Sequence, residues 1–134
     1  MKYLVVLVVV CVCYVQSEFT PEQVAKIKQH HAECSKESGV NQELVARARK
    51  GDFVEDAKLK RHMFCVSKKI GFQNQEGMVQ EEVLKAKVGA ILGDQKLADS
   101  LIGVCAKNLA NGEETAFAAV KCYYEKTPTH ISIV

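Results

Sequence analysis

The spacing of apolar residues after residue 17 predicts helices rather than strands. In residues 55–71, Leu59, Met63, Val66 and Ile70 recur at intervals of three or four positions. Side chains at such intervals lie on one face of an α-helix. Acidic residues open this stretch and two lysines and a glycine close it, an order that suits the helix dipole and a glycine C-cap. We therefore predict a central helix here.

Similar patterns predict five further helices, separated by segments that contain glycine or asparagine. The first begins with Thr20 as N-cap and Pro21 in the first turn. Strict alternation of apolar and polar residues, which is typical of half-buried strands, does not follow residue 17. The predicted fold class is therefore all-α. The five spans are about 20–38, 41–50, 79–92, 94–110 and 113–125.

The first 17 residues have the pattern of a secretory signal peptide. Lys2 is basic, an apolar run extends from Leu4 to Val15, and Ser17 is a small residue at the expected cleavage point. The run of about 12 residues is shorter than the ~18–20 that span a bilayer. We expect residues 1–17 to be removed and residues 18–134 to form one secreted, extracellular domain.

Charge and motifs exclude several classes of function. The 18 basic residues fall to 17 when Lys2 is removed, against 16 acidic residues. This balance does not indicate nucleic acid or an anionic membrane as a partner. The chain has no nucleophile elbow, no zinc-protease motif and no phosphate-binding loop, so we predict neither an enzyme nor a cofactor.

The cysteines indicate disulfide bonds. Cys11 and Cys13 leave with the signal peptide, and four of the six cysteines remain: Cys34, Cys65, Cys105 and Cys122. An even number in an oxidising compartment predicts two disulfides, although the spacing alone does not rank the pairings.

A zinc site is an alternative use of two of these cysteines. His31 precedes Cys34 by three positions, and His62 precedes Cys65 by three. Two helices could therefore present two imidazoles and two thiolates to one zinc ion. The secreted location favours the disulfides.

The helices carry many apolar side chains, which could either fill a core or line a cavity for a small hydrophobic ligand. Periodicity does not separate the two, because ligand pockets are walled by the same residue types. His31, His62, Tyr123 and Tyr124 are candidate polar groups. The candidate ligand-binding residues are Met63, Phe64, Phe72, Met78, Leu84, Val88, Ile91, Leu101, Phe117, Val120 and Tyr124.

Two segments resemble the insect odorant-binding proteins, the pheromone and general odorant-binding family. Residues 66–72 read Val-Ser-Lys-Lys-Ile-Gly-Phe, and residues 114–123 contain Glu-Thr-Ala-Phe followed by Val-Lys-Cys-Tyr. The resemblance extends over the mature chain. It implies a compact, six-helix, disulfide-linked domain around an apolar cavity. It also implies a carrier of an odorant, pheromone or other lipophilic molecule.

The resemblance further implies the disulfides Cys34–Cys65 and Cys105–Cys122. Members of the family usually carry a third bridge, whose positions correspond here to Arg61 and Glu113. The chain is therefore expected to be of the four-cysteine, minus-C type. Because the two replacements have opposite charge, we hypothesise an ion pair between Arg61 and Glu113.

By analogy with family members, the C-terminal residues are expected to form a gate. Ile131, Ile133 and Val134 would close one mouth of the cavity, and His130 would loosen them when it is protonated near its ordinary pKa of ~6.5. The alternative to a carrier is a secreted interaction module with a filled core, whose exposed face binds another protein. The sequence does not indicate a receptor or self-association.

Overall fold

Six α-helices build the part of the chain that the computed structural model describes, residues 21–127. Within this range no strand forms, and Gln73 and Val79 make an isolated β-bridge. None of the described helices is long and apolar enough to cross a membrane. The predicted signal peptide and the gate residues His130, Ile131, Ile133 and Val134 lie outside the described residues. The helices are α1 Pro21–Ser38, α2 Gln42–Arg49, α3 Ala57–Ile70, α4 Glu81–Leu92, α5 Gln95–Cys105 and α6 Gly112–Lys126.

Short polar side chains start four of the helices. Asn41, Asp56, Asp94 and Asn111 stand immediately before α2, α3, α5 and α6, and each accepts a hydrogen bond from a backbone N–H in the first turn. Such N-caps satisfy donors that the helix itself cannot pair.

Helix α5 ends earlier than its sequence pattern predicts. The prediction extended to about residue 110, whereas the helix stops at Cys105. The following segment makes other hydrogen bonds: Asn108 Oδ1 accepts from the Val79 N–H at 2.9 Å, and the Leu109 N–H donates to Thr115 Oγ1 at 2.9 Å. Contacts with the α3–α4 loop and with α6 thus replace a further helical turn.

Two disulfides join the helices. Cys34–Cys65 links α1 to α3, and Cys105–Cys122 links the end of α5 to α6. This is the pairing that the family resemblance implies. Each bridge stabilises the fold by ~3 kcal/mol because it restricts the unfolded chain.

Helix α3 packs against α1 and α6, and α5 packs against α4 and α6. Two apolar clusters fill most of the interior. The first includes Leu59, Met63 and Phe117, and the second includes Leu84 and Val88. Between these clusters, space remains beside α3, α4 and α6.

The hypothesis of an ion pair between Arg61 and Glu113 is wrong, because different residues form the ion pair between α3 and α6. In the described part of the chain Lys60 makes the connection instead: its Nζ lies 2.8 Å from Glu114 Oε1 and 2.6 Å from Glu55 Oε2. Consecutive side chains on a helix point about 100° apart, so a shift of one position changes which residue faces the neighbouring helix. Arg61 is exposed instead.

Candidate ligand-binding site

A cavity lies between α3, the α3–α4 loop, α4 and α6. It comprises about 480 Å³ of space free of protein atoms, counting its opening to solvent, of which about 30 Å³ can hold the centre of a water molecule. The cavity is therefore narrow. Its walls are formed by Met63, Val66, Ser67, Ile70, Phe72, Gln73, Val79, Leu84, Ala106, Thr115, Ala116, Ala119, Val120 and Tyr123.

Helix geometry explains which residues meet at the cavity. Met63, Val66 and Ile70 lie at helical intervals, so they form one face of α3. On α6, Ala116 and Ala119 belong to the facing surface. Their methyl groups are too small to fill the space that a larger apolar residue would occupy.

The walls are almost entirely apolar. Among the described residues that form them, ten are hydrophobic, four are polar and none is charged. Such a surface suits an uncharged, largely apolar molecule, because a charge placed there would lose its hydration without gaining a partner.

Two of the four polar wall residues already use their donors within the protein. Gln73 Nε2 donates to the carbonyl oxygens of Gly77 and Gly112, at 2.9 and 3.1 Å. The Thr115 hydroxyl donates to the Asn111 carbonyl oxygen at 2.8 Å. These two side chains therefore hold the α3–α4 loop and the start of α6 in place.

Tyr123 differs from them. Its side chain is 1% exposed, and its buried hydroxyl has no hydrogen-bond partner among the described residues. Burial raises the pKa of Tyr123 to about 12, so the hydroxyl keeps its proton at neutral pH. A buried hydroxyl beside an apolar cavity can orient a bound molecule through one hydrogen bond.

The structure brings four of the predicted ligand-binding residues together: Met63, Phe72, Leu84 and Val120 line the cavity. The others lie elsewhere. Val88, Leu101 and Phe117 are buried in contacts between helices, Met78 is 49% exposed, and Ile91 is half-buried. Phe64 packs beside Gly112, and Tyr124 packs edge-on against Phe53.

Several wall residues were not predicted. Ala106, Ala116, Ala119 and Gln73 are small or polar, and a search for large apolar side chains passes over them. The available signal was positional: Ala116 lies four positions before Val120 and Ala119 lies four positions before Tyr123, so each shares a helix face with a larger wall residue. Contact of any wall residue with a ligand remains a prediction.

The two candidate histidines contact each other away from the cavity. His31 Nδ1 lies 3.2 Å from His62 Nε2, which fits a hydrogen bond between two neutral imidazoles. Burial, followed by the neighbouring His62 and Arg49, lowers the pKa of His31 to about 4. Burial likewise lowers the pKa of His62. The pair therefore joins α1 to α3.

The zinc alternative is wrong for this arrangement. The sulfurs of Cys34 and Cys65 are bonded to each other, and zinc requires free thiolates. Among the described residues, the cluster Cys34, Glu37 and Cys65 has potential ligand atoms close together, but it contains the same disulfide.

Comparison with known proteins decides the family. The model of the PBP/GOBP family matches residues 16–126. The chain belongs to this family. The B1 protein of Tenebrio molitor is 31% identical over 109 residues, which cover 81% of this chain and 84% of that protein.

Solved structures of odorant-binding proteins share the fold. The fatty acid binding protein OBP56a from the oral disk of the blowfly Phormia regina has a TM-score of 0.64 and 29% identity, and the match covers 81% of this chain and 94% of that chain. Odorant binding protein 4 of Chrysopa pallens has a TM-score of 0.71 and 19% identity, and the match covers 85% of this chain and 98% of that chain. The predicted all-α, disulfide-linked fold is thus confirmed.

Membership in the PBP/GOBP family also decides the broad class of function. The protein is a small carrier of odorants or lipids and not an enzyme, as the sequence predicted.

Proposed function

We propose that this PBP/GOBP protein is a secreted carrier that binds one small hydrophobic molecule in the cavity beside α3, α4 and α6. The observation that carries the proposal is the largely apolar, uncharged wall of that cavity. Binding would be driven by burial of ligand surface, at ~25 cal/mol per Å². The fatty acid binding relative from the blowfly supports a lipophilic ligand.

Binding requires the cavity to widen. The volume of about 30 Å³ that is open to the centres of water molecules holds roughly one or two of them, which is far less space than an odorant molecule needs. Met63 is flexible and lies in the wall, and Ile70 lies about two turns further along the same face of α3. Rotation of these side chains would open space without breaking either disulfide.

Secretion is supported by two independent features. Residues 1–17 have the signal-peptide pattern, and both described disulfides need an oxidising compartment. Expression of the full chain in insect cells tests this directly: the medium should contain a protein whose N-terminal sequence begins at about residue 18. Retention of the chain with residues 1–17 attached would contradict it.

The binding test uses an apolar fluorophore whose emission rises in apolar surroundings. Oxidised residues 18–134 should bind it saturably at one site. Replacing Ala119→Leu fills the cavity and should weaken binding by about tenfold or more, because a larger side chain occupies the ligand's space.

The matched control is Ala118→Leu, one position away on α6 and outside the cavity wall. This variant should bind within about twofold of the unmodified chain. If the unmodified chain is helical and free of thiols yet does not bind the fluorophore, the core is filled. The interaction-module alternative would then replace the carrier.

A further inference from the structure

We infer that the preferred ligand carries an uncharged hydrogen-bond acceptor, such as an alcohol, aldehyde or ketone oxygen, which the Tyr123 hydroxyl binds. A carboxylate is disfavoured. The inference rests on the proposed function, because it concerns the molecule held in the same cavity.

The fully buried donor that a ligand would meet in this cavity is the Tyr123 hydroxyl. Of the polar wall residues, Gln73 and Thr115 donate to protein carbonyl oxygens. Tyr123 does not, and its hydroxyl is buried without a partner in the described part of the chain. An unpaired buried hydroxyl is destabilising, and an acceptor on the ligand would remove that penalty.

The Tyr123 hydroxyl acts as a hydrogen-bond donor at neutral pH. Burial keeps the proton on Tyr123, because its pKa is raised to about 12. The hydroxyl can therefore donate a hydrogen bond to a ligand oxygen over the whole range around neutral pH.

The described wall of the cavity offers no positive charge to a bound anion. No wall residue within the described range is basic. Lys87 is exposed to solvent outside the cavity, and its ammonium group donates a hydrogen bond to the carbonyl oxygen of the wall residue Ile70 at 2.7 Å. A carboxylate buried beside Tyr123 would thus have no countercharge, and burying an unpaired anion is costly.

The test uses displacement of the apolar fluorophore from oxidised residues 18–134 at neutral pH. Two ligand pairs isolate the two claims: carvone against limonene adds a ketone to one carbon skeleton, and decanal against decanoic acid exchanges an aldehyde for a carboxylate. Carvone should bind about five- to tenfold more tightly than limonene. Decanal should bind at least about tenfold more tightly than decanoic acid.

The variant Tyr123→Phe removes only the hydroxyl. It should bring the ratio of carvone affinity to limonene affinity close to one, while the affinity for limonene stays within about twofold of that of the unmodified chain. Ser67→Ala is the matched control, because Ser67 is the other wall hydroxyl and is half-buried. It should keep the ratio of the unmodified chain.

Three results would overturn the inference and leave the carrier function intact: an unchanged ratio in a folded Tyr123→Phe variant, loss of the ratio in Ser67→Ala instead, or decanoic acid binding as tightly as decanal. Should Tyr123→Phe fail to fold, the two ratios of the unmodified chain still decide the ligand class. Failure of the fluorophore to bind would remove the proposed function itself.

Discussion

At the scale of single residues, the contact between His31 and His62 makes the stability of the fold depend on pH. His62 is completely buried, and the nitrogen–nitrogen distance of 3.2 Å requires that at most one of the two facing nitrogens carries a proton. Arg49 and His30 add positive potential around His31. Protonation of the pair therefore opposes folding.

We expect acid to destabilise the protein below the ordinary histidine pKa of ~6.5. The folded pKa of His31 is about 4, so between these values the unfolded chain binds more protons, and stability is lost as the pH falls. Partial exposure of His31 reduces the effect to roughly 1–2 kcal/mol. Urea unfolding near pH 7 and near pH 5 measures it.

His31→Gln should lose most of this pH dependence, whereas His30→Gln should keep it. His30 is the matched control because it precedes His31 on α1 but is not hydrogen-bonded to His62 in the described structure. If the free energy of unfolding changes equally between pH 7 and pH 5 in the two variants, another group is responsible for the pH dependence.

At the scale of elements, the α3–α4 loop is fixed to the start of α6 by two glycines. Gly77 has a φ of 88° and lies against Gly112, whose own surface is covered by the Phe64 ring. Gln73 then hydrogen-bonds both glycine carbonyl oxygens. This junction closes one side of the cavity.

Gly112→Ala should therefore destabilise the protein by about 1–3 kcal/mol, because the added methyl group would collide with Phe64. Gly103→Ala is the matched control: it lies in α5 with no atom within 4 Å of an added Cβ. This second change should stabilise the fold by about 0.5–1 kcal/mol. Thermal unfolding compares them, and an unaffected Gly112→Ala variant would refute the close packing.

A second prediction at this scale concerns the missing disulfide. We propose that the chain is of the four-cysteine type, with Arg61 and Glu113 at the positions of the third bridge. Helices α3 and α6 are in contact, and the adjacent residues Lys60 and Glu114 form an ion pair at 2.8 Å. From the family correspondence, the double change Arg61→Cys and Glu113→Cys should form a bridge in air, with α3 turning so that residue 61 faces α6 in place of Lys60, and the bridge should add roughly 2–4 kcal/mol.

The control for that change is Arg61→Ser with Glu113→Ser, which removes the same charges without thiols. Intact mass after alkylation counts the free thiols. Two persistently alkylated cysteines in the folded double variant would contradict the placement.

The sequence predicted most of the fold because helix signals are local. The N-cap residues Asn41, Asp56, Asp94 and Asn111 and the apolar face of α3 depend on neighbours within about one or two turns. The end of α5 was mispredicted because Asn108 is held by the α3–α4 loop, which is distant in sequence, and Leu109 is held by Thr115 of the following helix.

The site was less predictable for the same reason. Large apolar residues such as Val88 and Phe117 mark the interior, but which of them face a cavity depends on how the helices cross. The spacing of Ala116 and Ala119 places them on the face of α6 that carries Val120 and Tyr123, but it does not show that a cavity rather than a packed side chain lies against that face.

At the scale of the whole fold, as described over residues 21–127, two disulfides and six helices surround a narrow, largely apolar cavity with one buried hydroxyl that has no partner. The disulfides connect α1 to α3 and α5 to α6, so α4 is the cavity helix that neither bridge restrains. We expect widening of the cavity to involve α4 and the wall side chains, with the bridged helices moving least.

The most direct test of the carrier function is a crystal structure of oxidised residues 18–134 with carvone. We expect one carvone molecule beside α3, α4 and α6, with its ketone oxygen within about 3 Å of the Tyr123 hydroxyl. Met63 or Ile70 should adopt changed rotamers. Carvone bound only on the surface, with the cavity walls unmoved at saturating concentration, would contradict the account.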